Sequence, residues 1–366
     1  MGLAEVPFSS VLWFAMMISS RRQFLHSGSA LLFTATLGTA QSDSLAGRRI
    51  RIGQIGTQHG HAQAKMGTLK KLSDHFEVVA LSGTDKHPGG SYEGVPLMET
   101  ARLLDLPGLE AVMVETDFPD ACDAAHAAIK AGKHVHLDKP GALDHAAFRA
   151  MRQEAEERGL TFQMGYMLRY HPAHELAAQA VSGNWLGRIM EIDAMMGKKL
   201  DAAGRRDLLR LPGGGMFELG CHLVDSVCRL MGKPTSVTSF SKPTGSDGFH
   251  DNQLAILEYP GSTATIRCNM ADPFGGPQRR FRISGTEGSM EIMPLEGGGV
   301  TVRLTDPQGT FPKGIQEIQL PVPAGRYDAE LTAFAEAIRQ AKPLPWNAAH
   351  DIAVHETALR AGGVPP

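Results

Sequence analysis

The stretch R49-I-R-I-G-Q-I-G56, running on as T57-Q-H-G-H-A-Q-A-K-M-G-T-L-K-K-L72, decides the fold of the first half of the chain. An apolar run of strand length enters a glycine turn, and a segment with helical spacing leaves it. The same unit recurs downstream. F76-E-V-V-A-L-S82, L109-E-A-V-M-V-E115, K133-H-V-H-L137 and T161-F-Q-M-G165 read as further strands, with helices over 119–131 and 144–158. Strands alternating with helices of this length predict an α/β domain over residues 48–165. Its sheet is doubly wound and parallel, with ligands beyond the carboxyl ends of the strands.

The glycine turn departs from the dinucleotide fingerprint. That fingerprint is G-x-G-x-x-G, so that backbone amides approach a pyrophosphate at a helix N-terminus. Here Gly56 is kept, Thr57 follows, and Gln58 and His61 stand at the second and third glycine positions. The second strand, which usually ends in an acid that bonds the ribose, ends Ser82-Gly83, with Asp85 two residues later. Either nucleotide binding tolerates these changes or the domain binds something else. His59 and His61 alone supply too few ligands for a metal, so no metal site is expected. Lys139 lies between Asp138 and Pro140 at a strand's carboxyl end. It reads either as a surface lysine paired with Asp138 or as a cation turned toward a ligand.

The second half holds a helix over 172–182, a strand over 188–196, and then L211-P-G-G-G-M-F-E-L-G-C-H-L-V-D225. Three glycines lead into a segment in which Glu218, His222, Asp225 and Arg229 recur as one helical stripe among apolar neighbours. The stripe is expected to face either solvent or a polar cleft. In a cleft, a histidine of near-neutral pKa suits acid–base work. Seven strand-like runs follow between 235 and 320, separated by turns such as Y259-P-G261 and G285-T-E-G288. Short connections favour antiparallel pairing, so residues 166–345 read as an α+β domain with an open, mainly antiparallel sheet. Helices are expected over 326–342 and 347–361, the latter closing the chain within 346–366.

A length of 366 residues allows two ordinary domains, and a net charge of −3 with no long run of like charge gives no electrostatic case for nucleic acid. The four cysteines are too few and scattered for a disulfide framework and read as core residues. Residues 1–40 read as an address. S20-R-R-Q-F-L25, a short apolar run from Ala30 to Ala40 and a small-residue end resemble a twin-arginine export signal, which predicts a periplasmic location. The run is too short to span a bilayer, so no stable membrane insertion is expected. Residues before Met17 fit the signal poorly.

Several motifs, taken in order, resemble the glucose–fructose oxidoreductase / inositol dehydrogenase / MocA-like family: A131-G-K-H-V-H-L-D-K-P140, G165-Y-M-L-R-Y-H-P-A173, G213-G-G-M-F-E-L-G-C-H-L-V-D225, R280-F-R-I-S-G-T-E-G-S-M-E-I292 and A349-H-D-I-A-V-H-E-T-A-L-R-A361. The resemblance implies a Rossmann-type nucleotide-binding domain, NAD or NADP as cofactor, and a carbohydrate or polyol as substrate. It implies that Lys139 lies near the nicotinamide, that His222 is the acid–base, and that Glu218 stands where the family usually has aspartate. Asp138 replaces the usual glutamate before the lysine. Gly56, Thr57, Gln58, His59, Thr116, Asp117, Asp138 and Lys139 fall on cofactor-binding positions, and Tyr166, Arg169 and Asp225 on substrate-binding ones. An exposed sheet face implies a homo-oligomer, dimer or tetramer. Two other readings stay open: a NAD-assisted glycosidase of the same fold, and a non-catalytic sugar-binding descendant. Translation is expected to begin at Met16 or Met17; N-terminal sequencing of the unprocessed precursor checks this, and a peptide containing Trp13 would refute it.

Overall fold

The computed structural model describes residues 48–322 and 324–366; the expected export signal lies outside them. The first sheet joins β1 (Ile50–Ile55), β2 (Phe76–Ser82), β3 (Ala111–Val114), β4 (His134–Leu137) and β5 (Phe162–Met164), in the order β2-β1-β3-β4-β5. All its pairings are parallel. Its strands are buried nearly throughout because α1 (Ala62–Lys71), α3 (Phe118–Lys130) and α4 (His145–Glu157) carry the chain between them. Local chemistry starts these helices where the sequence predicts. Asp144 caps α4 by accepting from Ala147 N at 2.7 Å, and Asp117 caps α3, which has proline in its first turn. A short helix, α2 (Thr100–Leu104), has no counterpart in the sequence reading; five residues are too few for a periodicity to show.

The second sheet has eight strands, β6 (Ile189–Gly197), β7 (Ser236–Lys242), β8 (Asn252–Tyr259), β9 (Ser262–Asn269), β10 (Arg280–Gly285), β11 (Gly288–Ile292), β12 (Gly299–Leu304) and β13 (Gly314–Gln319). Their order is β13-β12-β11-β10-β6-β9-β8-β7. Every pairing is antiparallel except β6 with β9, which the long excursion between them permits. Helix α5 (Pro172–Ser182) precedes β6, and the excursion contains α6 (Ala202–Leu209) and α7 (Cys221–Met231). All four cysteines are buried and free.

The C-terminal helices pack back onto the first half of the chain. Helix α8 (Asp328–Arg339) returns to the first sheet, where Tyr327, Leu331, Phe334 and Ala335 pack on Ile50, Ile52, Phe76, Ala111 and Met113. Its apolar face covers the sheet surface opposite α3 and α4. Helix α9 (Ala348–Ala361), capped by Asn347, lies against α4, with the ring of His355 stacked 4.3 Å from that of Phe148.

A buried ion network fastens α9 to the rest, and it takes two residues expected to bind substrate. Arg169 follows Tyr166 in the 3-10 turn Met167–Tyr170, and its Nη2 lies 2.7 Å from Asp225 Oδ1 on α7 and 2.8 Å from Asp351 Oδ1 on α9. Arg152 of α4 completes the set at 2.9 Å from Asp351 Oδ2, and His350 Nε2 reaches Asp225 at 3.1 Å. Arg169 and Asp225 are at 1% and 2% side-chain exposure, and Arg169 Nε and Nη2 and the Asp225 carboxylate are engaged within the protein. Removing one member of such a network strands the opposite charges in a dry interior. Arg169→Met is therefore expected to lower the unfolding free energy by about 3–5 kcal/mol in urea titration; a loss below about 1 kcal/mol would show that the network contributes little.

Candidate active site

At the topological switch point, where β1 and β3 lie side by side and their connections leave in opposite directions, the carboxyl ends of the strands open a crevice. Gly56 turns the chain there with φ +86°, and a Cβ on it would lie 2.5 Å from Thr116 Cα. Only glycine fits this approach of turn to loop. Gln58 folds back on the same turn: its Oε1 accepts from Thr57 N at 2.9 Å and its Nε2 donates to Gly83 O at 3.0 Å. Gly83 has φ +72°, and a Cβ there would sit 3.0 Å from Gly56 N. The acid usual at the end of the second strand is thus excluded by backbone conformation and by the neighbouring turn.

These residues still fit a dinucleotide. Helix α1 has no side-chain cap and no acid in its first turn, so its N-terminus is left for an anion. A side chain at Gly60 would meet only open space, so the turn can be approached closely at that point. Thr116 and Asp117 lie on the loop after β3. Asp117 pairs with Arg210, just past α6, at 2.6 Å and 2.8 Å, which bridges the loop to the second half of the chain. Both partners are largely solvated, so this clasp contributes little to stability.

Across the crevice, the run of glycines ends in a π-helical turn, Met216–Gly220, that leads into α7. Such turns widen a helix locally and recur at functional sites. The turn breaks the even stripe that regular spacing predicts. Glu218 and His222 face Lys139, Asp225 goes to the Arg169 network, and Arg229 pairs with Glu175 at 2.9 Å. The stripe is therefore not a solvated edge: His222 is 2% exposed and the Glu218 side chain 13%.

Lys139 crosses from the end of β4 to donate to Glu218 Oε1 at 2.8 Å and to Glu218 O at 3.0 Å. Burial alone would lower its pKa; the Glu218 carboxylate, with Cys221 and Asp138 behind it, outweighs that and holds it above the ordinary lysine value. Burial would likewise raise Glu218, but Lys139, followed by Lys198, holds it below the usual carboxylate range. The pair is charged on both sides. His222 is driven well below the ordinary histidine value, by burial first and then by the Lys139 charge, so it is neutral. Its Nδ1 is buried with no hydrogen-bond partner, and the Tyr166 ring stands edge-on to it at 5.8 Å.

Beneath the glycine turn lies a charged cluster that the sequence reading only touched. Asp138 Oδ2 accepts from Lys65 Nζ at 2.6 Å and lies 3.0 Å from His61 Nδ1 and 3.2 Å from His59 Nδ1. Glu115 is 3.2 Å from Lys65 and 3.3 Å from His59. Burial would lower His59, but Asp138 and Glu115 together bring it up to about 9, whereas burial keeps His61 below its ordinary value. Glu330 on α8 faces the same lysine from the far side. Lys65 was missed because a lysine in a helix of low amphipathicity reads as solvated. Glu115 had a visible signal, a charge ending an apolar strand. Lys198, just after β6, was missed as well; its Nζ is 3.6 Å from Glu218 Oε2.

Against known proteins, residues 50–166 match the family described as "Oxidoreductase family, NAD-binding Rossmann fold", and residues 174–291 match the GFO/IDH/MocA C-terminal domain. The chain belongs to the GFO/IDH/MocA oxidoreductase family. It is 27% identical to trans-1,2-dihydrobenzene-1,2-diol dehydrogenase of Bos taurus over 56% of this chain and 58% of that one, so the match spans little more than half of that relative. It is 26% identical to D-xylose 1-dehydrogenase (NADP(+)) 2 of Haloferax volcanii over 68% of this chain and 73% of that one. Among solved structures, levoglucosan dehydrogenase in complex with NADH and levoglucosan shares the fold at TM-score 0.74 and 18% identity, covering 85% of this chain and 95% of that one.

Glu330 gives the site a pH signature. Burial pushes its carboxyl from 4.5 up to about 7, with Lys65 opposing. Between those values the folded protein keeps a proton that the unfolded chain has lost, so this group's contribution to stability falls as pH rises. At about 1.4 kcal/mol per pH unit the loss is on the order of 3 kcal/mol. Urea titrations at pH 5 and pH 8 are expected to show Glu330→Gln losing about 3 kcal/mol less than the parent protein over that span; parallel losses would disprove it.

Proposed function

We propose that the protein is an NAD(P)-dependent oxidoreductase acting on a carbinol or ketone of a carbohydrate or polyol. The observation that carries this reading is the meeting of Lys139, Glu218 and His222 at the crevice. A charged lysine, locked by a carboxylate, stands with a neutral histidine whose Nδ1 has no partner in the protein. When bound, the nicotinamide supplies the hydride acceptor or donor. The protein must orient the substrate oxygen and move one proton. Neutral His222 takes the hydroxyl proton on oxidation and returns it on reduction, a role worth roughly 10²–10⁴-fold. The Lys139 ammonium stabilises alkoxide charge as it develops. Glu218 holds that ammonium in place, and its extra methylene relative to aspartate lets it reach Lys139 from the π-helical turn. Tyr166 walls the histidine.

Gly56, Thr57, Gln58, His59, Thr116, Asp117 and Asp138 line or underlie the cofactor side of the crevice. Arg169 and Asp225 are structural in this reading, because each is buried against charged partners. The names of the relatives, dehydrogenases of diols and sugars, support the substrate class. Export through a twin-arginine-type signal, proposed from Arg21 and Arg22, suits a protein that folds around its nucleotide before it crosses the membrane. The outer face of the second sheet, with Asp193, Arg280, Arg282 and Glu291, is proposed to join copies of the chain into a dimer or tetramer.

The test is to identify any nucleotide that co-purifies with the protein, by mass spectrometry, and to follow nicotinamide absorbance with a panel of sugars and polyols. Net reduction supports the proposal. Release of an aglycone without net reduction points to a glycosidase, and the absence of nucleotide binding overturns both. His222→Ala is expected to lower kcat by about 10²-fold or more while nucleotide affinity stays within about twofold; unchanged turnover removes His222 from the mechanism.

A further inference from the structure

Four side chains from three separate elements converge beneath the glycine turn. His59 and His61 come from the turn itself, Glu115 follows β3, and Asp138 follows β4. One ligating atom each from His59, His61 and Asp138 lie within 4.8 Å of one another. His59 Nδ1 stands 3.2 Å from Asp138 Oδ2 and 3.3 Å from Glu115 Oε2, and His61 Nδ1 stands 3.0 Å from Asp138 Oδ2. These lengths match the edges of a coordination polyhedron. Ligands about 2.0 Å from a tetrahedral ion are about 3.3 Å apart, and adjacent ligands about 2.1 Å from an octahedral one are about 3.0 Å apart.

A second observation points the same way. Glu115 is fully buried, yet both of its carboxylate oxygens lack a hydrogen-bond partner. Lys65 Nζ at 3.2 Å and His59 Nδ1 at 3.3 Å face it without a directed hydrogen bond, so its lone pairs stay available to an ion. The acids Glu115 and Asp138 face Lys65 and His59, so an ion entering the cluster displaces the proton from His59 Nδ1. Lys65 Nζ, which also contacts His136 Nε2 at 2.8 Å, then holds Asp138 from behind, as carboxylate ligands are commonly held.

We propose that His59, His61 and Asp138 bind one divalent transition-metal ion, zinc before manganese, beneath the glycine turn, with Glu115 beside His59. Two imidazole nitrogens with one carboxylate oxygen form a three-residue set that suits zinc and leaves a fourth position open. His61, with 22% of its side chain exposed, marks the route by which the ion enters. The ion ties the turn to the end of β4. It thereby fixes the residue before Lys139, so it acts as a positioning element for the lysine. It also accounts for histidine at the third glycine position of the fingerprint.

The proposal does not depend on the oxidoreductase reading, because its test uses metal alone. The intact protein is assayed for metals by elemental mass spectrometry, stripped with chelator, and titrated calorimetrically with Zn²⁺ and then Mn²⁺ in the absence of nucleotide and sugar. One equivalent of Zn²⁺ with Kd of about 1 μM or tighter is expected, and Co²⁺ in its place is expected to give visible d–d absorption. His61→Gln is expected to weaken binding at least tenfold, roughly the least that loss of a ligand costs, with circular dichroism confirming the fold. His59→Gln serves if His61→Gln misfolds. A Kd above about 1 mM for both metals, or unchanged affinity in a folded variant, overturns the proposal.

Discussion

The contact between Lys139 and Glu218 joins the two halves of the chain at a place where neither half could bury its charge alone. Lysine and glutamate are rarely buried singly, because removing an ion from water costs several kcal/mol. Each makes burial of the other tolerable, and the lysine also takes the Glu218 carbonyl, an acceptor the π-helical turn presents toward it. The pair therefore fixes how the end of β4 sits against the start of α7. It also explains why His222 is neutral. A histidine beside a committed ammonium and away from water has little to gain from a proton, so the site holds a base and a cation together.

The same economy governs the rest of the interior. Arg169 is enclosed by Asp225 and Asp351, Arg152 shares Asp351, and Lys65 faces Asp138 and Glu115. Buried charges of this kind add little stability over an apolar core, and their cost falls on any change that removes one partner. What they supply is position. The Arg169 network sets α9 against α7, the helix that carries His222, so residues outside the crevice govern where that imidazole stands.

The first sheet was legible in the sequence because apolar runs of strand length alternating with amphipathic segments leave few alternatives. The second sheet was legible as alternation, and its single parallel pair was not, because register between strands distant in sequence leaves no local trace. Helical spacing placed Glu218, His222, Asp225 and Arg229 on one face, yet it could not say that their partners lie as far off as Lys139, 79 residues away. Burial of polar groups is decided by those partners. Asp225 accordingly read as a cleft residue, and Lys65 did not read as part of a site at all. The motifs at Lys139 and His222 were informative through resemblance, and local pattern alone left each with a plain surface reading.

The glycine turn shows how a fingerprint can change without losing its geometry. The first glycine is irreplaceable because Thr116 occupies the space a side chain would need. The second position faces outward, so Gln58 is accommodated, and its amide satisfies Thr57 N and Gly83 O across the gap between β1 and β2. With Gly83 barred from carrying a side chain, the position at the end of β2 itself offers no carboxylate, and the Gln58 amide stands beside it. A carboxylate at that point would repel a 2′-phosphate by Coulomb interaction, and a neutral amide does not. The turn's least typical residue thus removes the main physical obstacle to the phosphorylated form of the cofactor while leaving hydrogen bonds for the unphosphorylated one.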